Sequence, residues 1–127
     1  CFEISPVGWD EVKPVNGCVV HTNHFLCESL RAQQSPMGLA LSSEPRLISG
    51  QRHAQAAAQG QRIGLDALQN FLRDESDGLW SICRSPDPAM PPEARVESVA
   101  GIIMSPHERA IWIAPNVPKL AAFERIS

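Results

Sequence analysis

The segment VESVAGIIMSPHERAIWIA, Val96 to Ala114, limits the fold of this chain more than any other. Side chains alternate across a strand, so Val96, Ser98, Ala100, Ile102 and Met104 share one face, and Val99, Gly101 and Ile103 share the other. Both faces are apolar, which predicts a strand covered on two sides. Ser105-Pro106-His107-Glu108 joins it to AIWIA, with proline at the second turn position, where its fixed φ suits a type I turn. Such a hairpin needs apolar partners above and below it.

The first residues also read as extended. Phe2 and Ile4 alternate with Glu3 and Ser5, Pro6 to Gly8 form a turn, and Val12 and Val15 precede Asn16-Gly17. Asn-Gly favours positive φ at both positions, so a tight hairpin is expected there, with CVVH continuing as a strand. Ala32 to Asp77 is the helical zone. Ser35-Pro36-Met37-Gly38 and Ser42-Ser43-Glu44-Pro45 read as loops, and the alanines between Gln51 and Gln59 favour helix. Gly60 and Gly64 interrupt it. In LDALQNFLRD, Leu65, Leu68 and Leu72 lie along one face with Phe71 beside them, and Arg73 falls in the last turn. Trp80 to Arg84 is a short strand candidate before a proline-rich loop, and AAFERI closes the chain. Strands, then helices, then strands point to an α+β fold with sheet packed on sheet and helices outside.

With 127 residues the chain suits one domain rather than two. Its net charge is −3 and its eleven basic residues are scattered, which argues against a nucleic-acid or anionic-membrane surface. No apolar run approaches the roughly 20 residues that span a bilayer. Cys1 to Asp10 has neither a basic start nor an apolar stretch, and no initiator methionine is present, so the chain reads as a fragment or a processed product. Four cysteines do not require disulfides at this length, and a reducing cytoplasm is the favoured compartment.

GCVVHTNHFLC places Cys18, His21, His24 and Cys27 three residues apart. Zinc needs its ligands within about 2.0–2.3 Å of one ion. On a strand these residues point alternately to opposite faces, and nine steps of about 3.3 Å spread them over about 30 Å. On a helix a spacing of three drifts by about 60° per ligand. Neither geometry converges, so no metal is expected and the cysteines read as small apolar side chains. Attention passes to Asn23.

The segment FEISPVGWDEVKPVNGCVVHTNHFL resembles the acyl-coenzyme A:6-aminopenicillanic acid acyltransferase (isopenicillin-N acyltransferase) family of N-terminal-nucleophile hydrolases. The resemblance rests on Glu3-Ile4-Ser5-Pro6, Asn16-Gly17 and His21-Thr22-Asn23-His24. It extends to a Ser-x-x-Arg helix start at Ser49 and Arg52, to Ser81 through Arg84, and to Arg95 ahead of VESVAGII. It implies that residues 1–127 are the C-terminal part of one four-layer αββα domain. The family's nucleophile, an upstream cysteine exposed by self-cleavage, is absent. Cys1 heads a segment that matches the interior strand before the hairpin, so it is read as a core strand residue rather than the nucleophile.

An asparagine after a strand is ordinarily a turn-capping residue. The resemblance makes Asn23 the oxyanion donor instead. It also puts Arg95 near the nucleophile, where a permanent cation favours thiolate and holds anionic groups. His21, Thr22 and His24 become supports of the Asn23 hairpin, and Arg84 and Arg52 structural residues. No cofactor is implied, although acyl-coenzyme A is a candidate acyl donor. The implied partners are a small acyl-amide or acyl-thioester substrate and the missing N-terminal segment or subunit, with neither nucleic acid nor membrane. Gln55 and the alanine run stand where relatives carry a second arginine and paired leucines, so substrate identity does not transfer. A penicillin V acylase or bile-salt-hydrolase relative, and a non-catalytic fragment or binding module, remain alternatives. Lacking a nucleophile–base–oxyanion set, the isolated chain is expected to hydrolyse nothing.

Overall fold

The turn at Pro6 to Gly8 closes an antiparallel hairpin between β1 (Phe2–Ser5) and β2 (Gly8–Glu11). The computed structural model describes residues 1–34, 40–59 and 63–126, and the side chains of Ala40 and Leu41 lie outside that description. The chain divides into two compact units, Cys1–Arg62 and Ile63–Ser127. Among the described residues no helix is long and apolar enough to cross a membrane.

In the first unit, Ile4 opposes Trp9, Phe2 opposes Glu11 and Glu3 opposes Asp10. Opposed residues share a face, so Phe2, Ile4 and Trp9 gather on one side and the carboxylates of Glu3 and Asp10 on the other. The Phe2 and Trp9 rings meet edge to face at 5.6 Å. The usual polarity is inverted, since Ile4 is 74% exposed and Glu3 4%. Asn16 (φ 52°) and Gly17 (φ 77°) adopt the positive φ expected of Asn-Gly. The hairpin they close is nevertheless a single bridge, Val15 to Cys18, and CVVH is not a strand. Beyond Cys18 the backbone amides of Asn23, Leu26 and Cys27 bond to side chains instead of a neighbouring strand.

Two helices follow, α1 (Glu28–Arg31) and α2 (Ala40–Ala58). Helix α2 starts well before Gln51 and takes in Ser42-Ser43-Glu44-Pro45, which the sequence reading made a loop. Pro45 is the sixth residue of the helix and has no N–H for the carbonyl four residues before it, so the helix gives up one internal bond there. Ser43, a weak helix former, finds tertiary partners described below. The expected turn at Ser35 to Gly38 and the break at Gly60 lie outside the described residues.

The second unit opens with α3 (Leu65–Leu72), preceded by Gly64 as its N-cap. Leu65, Leu68, Phe71 and Leu72 are half-buried along it. Trp80 to Arg84 is not a strand: a 3-10 turn at Gly78–Trp80 leads into bends. There Ser81 Oγ accepts from Asp77 N–H at 2.9 Å and Cys83 N–H donates to Asp74 O at 2.9 Å, closing the segment on itself.

Strands β3 (Ala100–Ser105), β4 (Ala110–Pro115) and β5 (Glu124–Ile126) form an antiparallel sheet in that order. Pro106 to Arg109 link the first two, with Arg109 at φ 49° and its N–H on Pro106 O. The register pairs Gly101 with Ala114 and Ile103 with Trp112 on one face, and Ile102 with Ile113 and Met104 with Ile111 on the other. The first face is buried. An added Cβ on Gly101 would stand 2.9 Å from Pro118 Cγ and 3.0 Å from Phe123 Cζ, so the close approach requires glycine. Arg73 ties α3 to this corner through Nε on Pro118 O at 3.1 Å and by stacking over the Phe123 ring. The second face is open, with Met104 66% and Ile102 50% exposed. Strand β3 is therefore covered on one side among the described residues, not on two. Val96 to Val99 stay outside the ladder.

Candidate functional site

The buried face of the first hairpin aims Glu3 at the loop that carries His21 to Cys27. Its carboxylate accepts from Leu26 N–H (2.6 Å), Cys27 N–H (2.8 Å) and His21 Nε2 (2.7 Å). Burial alone would push this carboxyl up, but the amides of Leu26 and Cys27, with His21, outweigh it and hold the group at about 2. His21 Nδ1 meets Thr22 O at 2.6 Å. Both ring nitrogens thus face oxygens that only accept, and both bonds form together when the ring is an imidazolium. Burial, followed by the hydrogen bond and charge of Glu3 and the charge of Asp10, pushes the Cys27 thiol up to about 11. A thiol so protonated is a poor nucleophile.

Ser43 of α2 is the second anchor and is fully buried. Its hydroxyl accepts Asn23 N–H at 2.7 Å, contacts His24 Nδ1 at 2.7 Å and donates to Thr22 Oγ1 at 2.9 Å. Thr22 Oγ1 in turn donates to Ser43 O at 3.0 Å. With the Ser43 proton given to Thr22, His24 must supply the proton of its own bond, which sets its Nδ1–H tautomer. His24 is buried and occupied. His21 and His24 hold the loop from two sides, yet the segment that carries them is irregular rather than a strand.

Asn23 itself is exposed. Its Oδ1 accepts from Arg46 Nη2 at 2.7 Å, and Arg46 Nε donates to Ser42 O at 3.0 Å. A guanidinium has donors only, so the oxygen of the amide faces Arg46 and Nδ2 is turned away. Asn23 lines an open cleft of about 340 Å³ with Cys1, Phe2, Ile4, His21 and Phe25. Cys1 continues the hairpin ladder, with Val12 N–H on its carbonyl at 2.8 Å, but it is exposed and not the core residue expected.

Ser49 and Arg52 lie in the middle of α2, not at its start; Ser49 is buried and Arg52 exposed. The same Ser-x-x-Arg spacing occurs six residues earlier at Ser43 and Arg46, and that pair reaches the loop. Glu3, Ser43 and Arg46 are the residues that sequence reasoning missed. The repeated spacing was the available signal for two of them, and the odd carboxylate in an apolar strand was the signal for Glu3.

Arg84 and Arg95 belong to the second unit. They line one cleft of about 500 Å³ with Leu79, Trp80, Met90 and Val96. Arg95 follows the 3-10 turn Pro92–Ala94 and clasps its own loop, with Nε on Met90 O at 2.9 Å and Nη2 on Pro88 O at 3.2 Å. It precedes β3 by five residues rather than opening it. Arg84 Nη2 is enclosed without a hydrogen-bond partner among the described residues. Asn23 and Arg95 thus stand in different units. Cys1, Cys18, Cys27 and Cys83 are free, and among the described residues no group of three or more His, Cys, Asp or Glu side chains could hold a metal ion.

An exposed carboxamide that lines a cleft and whose oxygen is occupied keeps an NH₂ that can donate to charge developing on a bound oxygen. No protein-family model matches the chain, and no curated protein and no solved structure matches it either.

Proposed function

We propose that this chain is the C-terminal part of a cysteine N-terminal-nucleophile acyltransferase or amidohydrolase, in which Asn23 is the oxyanion donor. The observation that carries the reading is the hold on Asn23, whose Oδ1 accepts from Arg46 at 2.7 Å while the residue itself lines the open cleft. Acyl transfer from an amide or thioester to a thiolate puts negative charge on the former carbonyl oxygen. A fixed neutral N–H aimed there is worth about 3–4 kcal/mol and changes no charge balance of its own. His21, Thr22 and His24 support the loop, and Arg95 supplies positive charge to the substrate or nucleophile.

The nucleophile, in this reading, lies on the segment or subunit that completes the domain. The open apolar faces, Phe2, Ile4 and Trp9 in one unit and Ile102 and Met104 in the other, support such a partner, because isolated sheets seldom leave this much apolar surface in water. The completed domain would then be the αββα fold with sheets face to face. The substrate is a small acyl-amide or acyl-thioester, acyl-coenzyme A is a candidate donor, and the parent belongs in the cytoplasm, where free cysteines stay reduced.

A penicillin V acylase or bile-salt-hydrolase-like amidase would use the same donor, and the residues around the upstream nucleophile distinguish the two. One observation favours a different nucleophile: Cys1 lines the same cleft as Asn23. The test is intact-mass analysis of the full-length parent after quenching with an acyl-amide substrate. One acyl adduct on an upstream cysteine is expected, with Asn23→Ala lowering kcat about 10²–10³-fold and leaving KM in place. An adduct on Cys1, or turnover by the isolated chain that Cys1→Ala abolishes, would move the nucleophile to Cys1. No adduct anywhere would favour a non-catalytic module.

A further inference from the structure

We propose that Arg46 is the positioning residue for Asn23, holding the carboxamide so that both Nδ2–H bonds point into the cleft and strengthening them as donors. This rests on the reading of Asn23 as the oxyanion donor.

A carboxamide turned by half a revolution exchanges its oxygen for its NH₂ with almost no change in shape. For an oxyanion donor the two orientations have opposite effects, since one offers protons to the developing charge and the other repels it with a lone pair. Something must therefore choose between them, and here the choice is made by chemistry. Arg46 Nη2 stands 2.7 Å from Oδ1, and a guanidinium cannot accept, so the flipped amide would set NH₂ against NH₂. The guanidinium is fixed in its turn by Nε on Ser42 O at 3.0 Å. The adjacent Ser43 hydroxyl holds Asn23 N–H at 2.7 Å. One short stretch of α2, Ser42 to Arg46, thus grips Asn23 at backbone and side chain together, leaving Nδ2 as the free end. A donor fixed this way needs no reorganisation when charge appears.

The contact also acts on strength. A cation bonded to the amide oxygen draws electron density from the nitrogen, and hydrogen bonds in a chain polarise one another in the same direction. Lysine would keep the charge but not the planar fork that reaches Ser42 O and Asn23 Oδ1 at once.

The test uses the full-length parent turning over an acyl-amide substrate, with Arg46→Met, Arg46→Lys, Asn23→Ala and the double variant. Arg46→Met should lower kcat about tenfold or more with KM unchanged, and Arg46→Lys should restore part of the loss. Because Arg46 works through Asn23, adding Arg46→Met to Asn23→Ala should cost nothing further. Losses that multiply in the double variant would overturn the proposal. So would wild-type kcat in Arg46→Met while Asn23→Ala is impaired, an outcome that leaves the oxyanion reading standing. Wild-type kcat in Asn23→Ala would instead sink that reading and this inference with it. A readout free of catalysis guards against misfolding: in folded Arg46→Lys and Arg46→Met, the Asn23 side-chain amide resonances in a nitrogen-15 correlation spectrum should shift and broaden. Unmoved resonances would show that Arg46 does not hold the amide.

Discussion

Among the described residues, the first unit buries Glu3, His24, Ser42, Ser43 and Ser49, with Leu30 as its buried apolar side chain; the second buries Cys83, Ile103, Ala110, Ala114 and Val117, with Ser81 as the polar exception. One interior is assembled from hydrogen bonds and the other from packing. The two respond differently to error. A buried hydrogen-bond hub loses several bonds when one member goes and leaves the others unsatisfied, whereas a packed interior loses contacts in proportion to the volume removed. The contrast also shows where chemistry can be placed. An exposed polar side chain is held still only by a rigid polar support, and the first unit has one beneath Asn23.

The comparison can be broken from its strongest side first. Glu3→Ala strands the amides of Leu26 and Cys27 and removes the His21 contact, and should cost about 3–6 kcal/mol, at about 1.5–3 kcal/mol for each of the two amide hydrogen bonds to the charged carboxylate. Urea unfolding gives the total, and hydrogen exchange should place the loss in β1, β2 and the loop to Cys27, sparing β3 and β4. Equal loss of protection in both units would dissolve the contrast. The same group predicts the acid response. With its carboxyl held at about 2 against an ordinary value of 4.5, the stability Glu3 contributes is complete above the unfolded-state value and is lost as pH falls from there through about 2. Exchange protection of the first unit should decline over that window in the wild type and not in Glu3→Ala.

Next comes Ile103→Ala, which opens a void on the buried face of the second sheet and should cost about 2–5 kcal/mol. Its effect on exchange should fall on β3 and β4. Smallest is the double change Ile102→Lys with Met104→Lys on the open face of the same sheet, which should alter the stability of this chain by no more than about 0.5 kcal/mol. In the full-length parent the same pair should prevent folding or assembly if the remainder of the domain covers that face. A loss in the isolated chain as large as that of Ile103→Ala would mean the face is already covered.

Part of the site could be read directly. His21, Thr22, Asn23 and His24 are contiguous, and a motif of neighbours survives any error about the elements around it. Their supports could not be read in the same way. Glu3 meets His21, Leu26 and Cys27 across 18, 23 and 24 residues, and Ser43 meets Asn23 across 20. No local pattern announces such pairs. Arg46 follows a proline that normally ends a helix, so the sequence reads as loop there and the Ser-x-x-Arg helix start falls on Ser49 and Arg52 instead.

What the sequence determined by itself is therefore the local grammar. Positive φ at Asn16 and Gly17, the apolar stripe of α3 and the hairpin of β3 with β4 all follow from preferences acting within a few residues. Tertiary structure decided whether those pieces were used as written. It left CVVH without a strand partner, carried α2 through Pro45, closed Trp80 to Arg84 on itself and left one face of β3 open. The reason is energetic. Backbone preferences differ by about 1 kcal/mol per residue, while a hub such as Glu3 or Ser43 joins several bonds whose loss costs more than that. Where a distant side chain offers the backbone a better partner than a neighbouring strand would, the local preference yields.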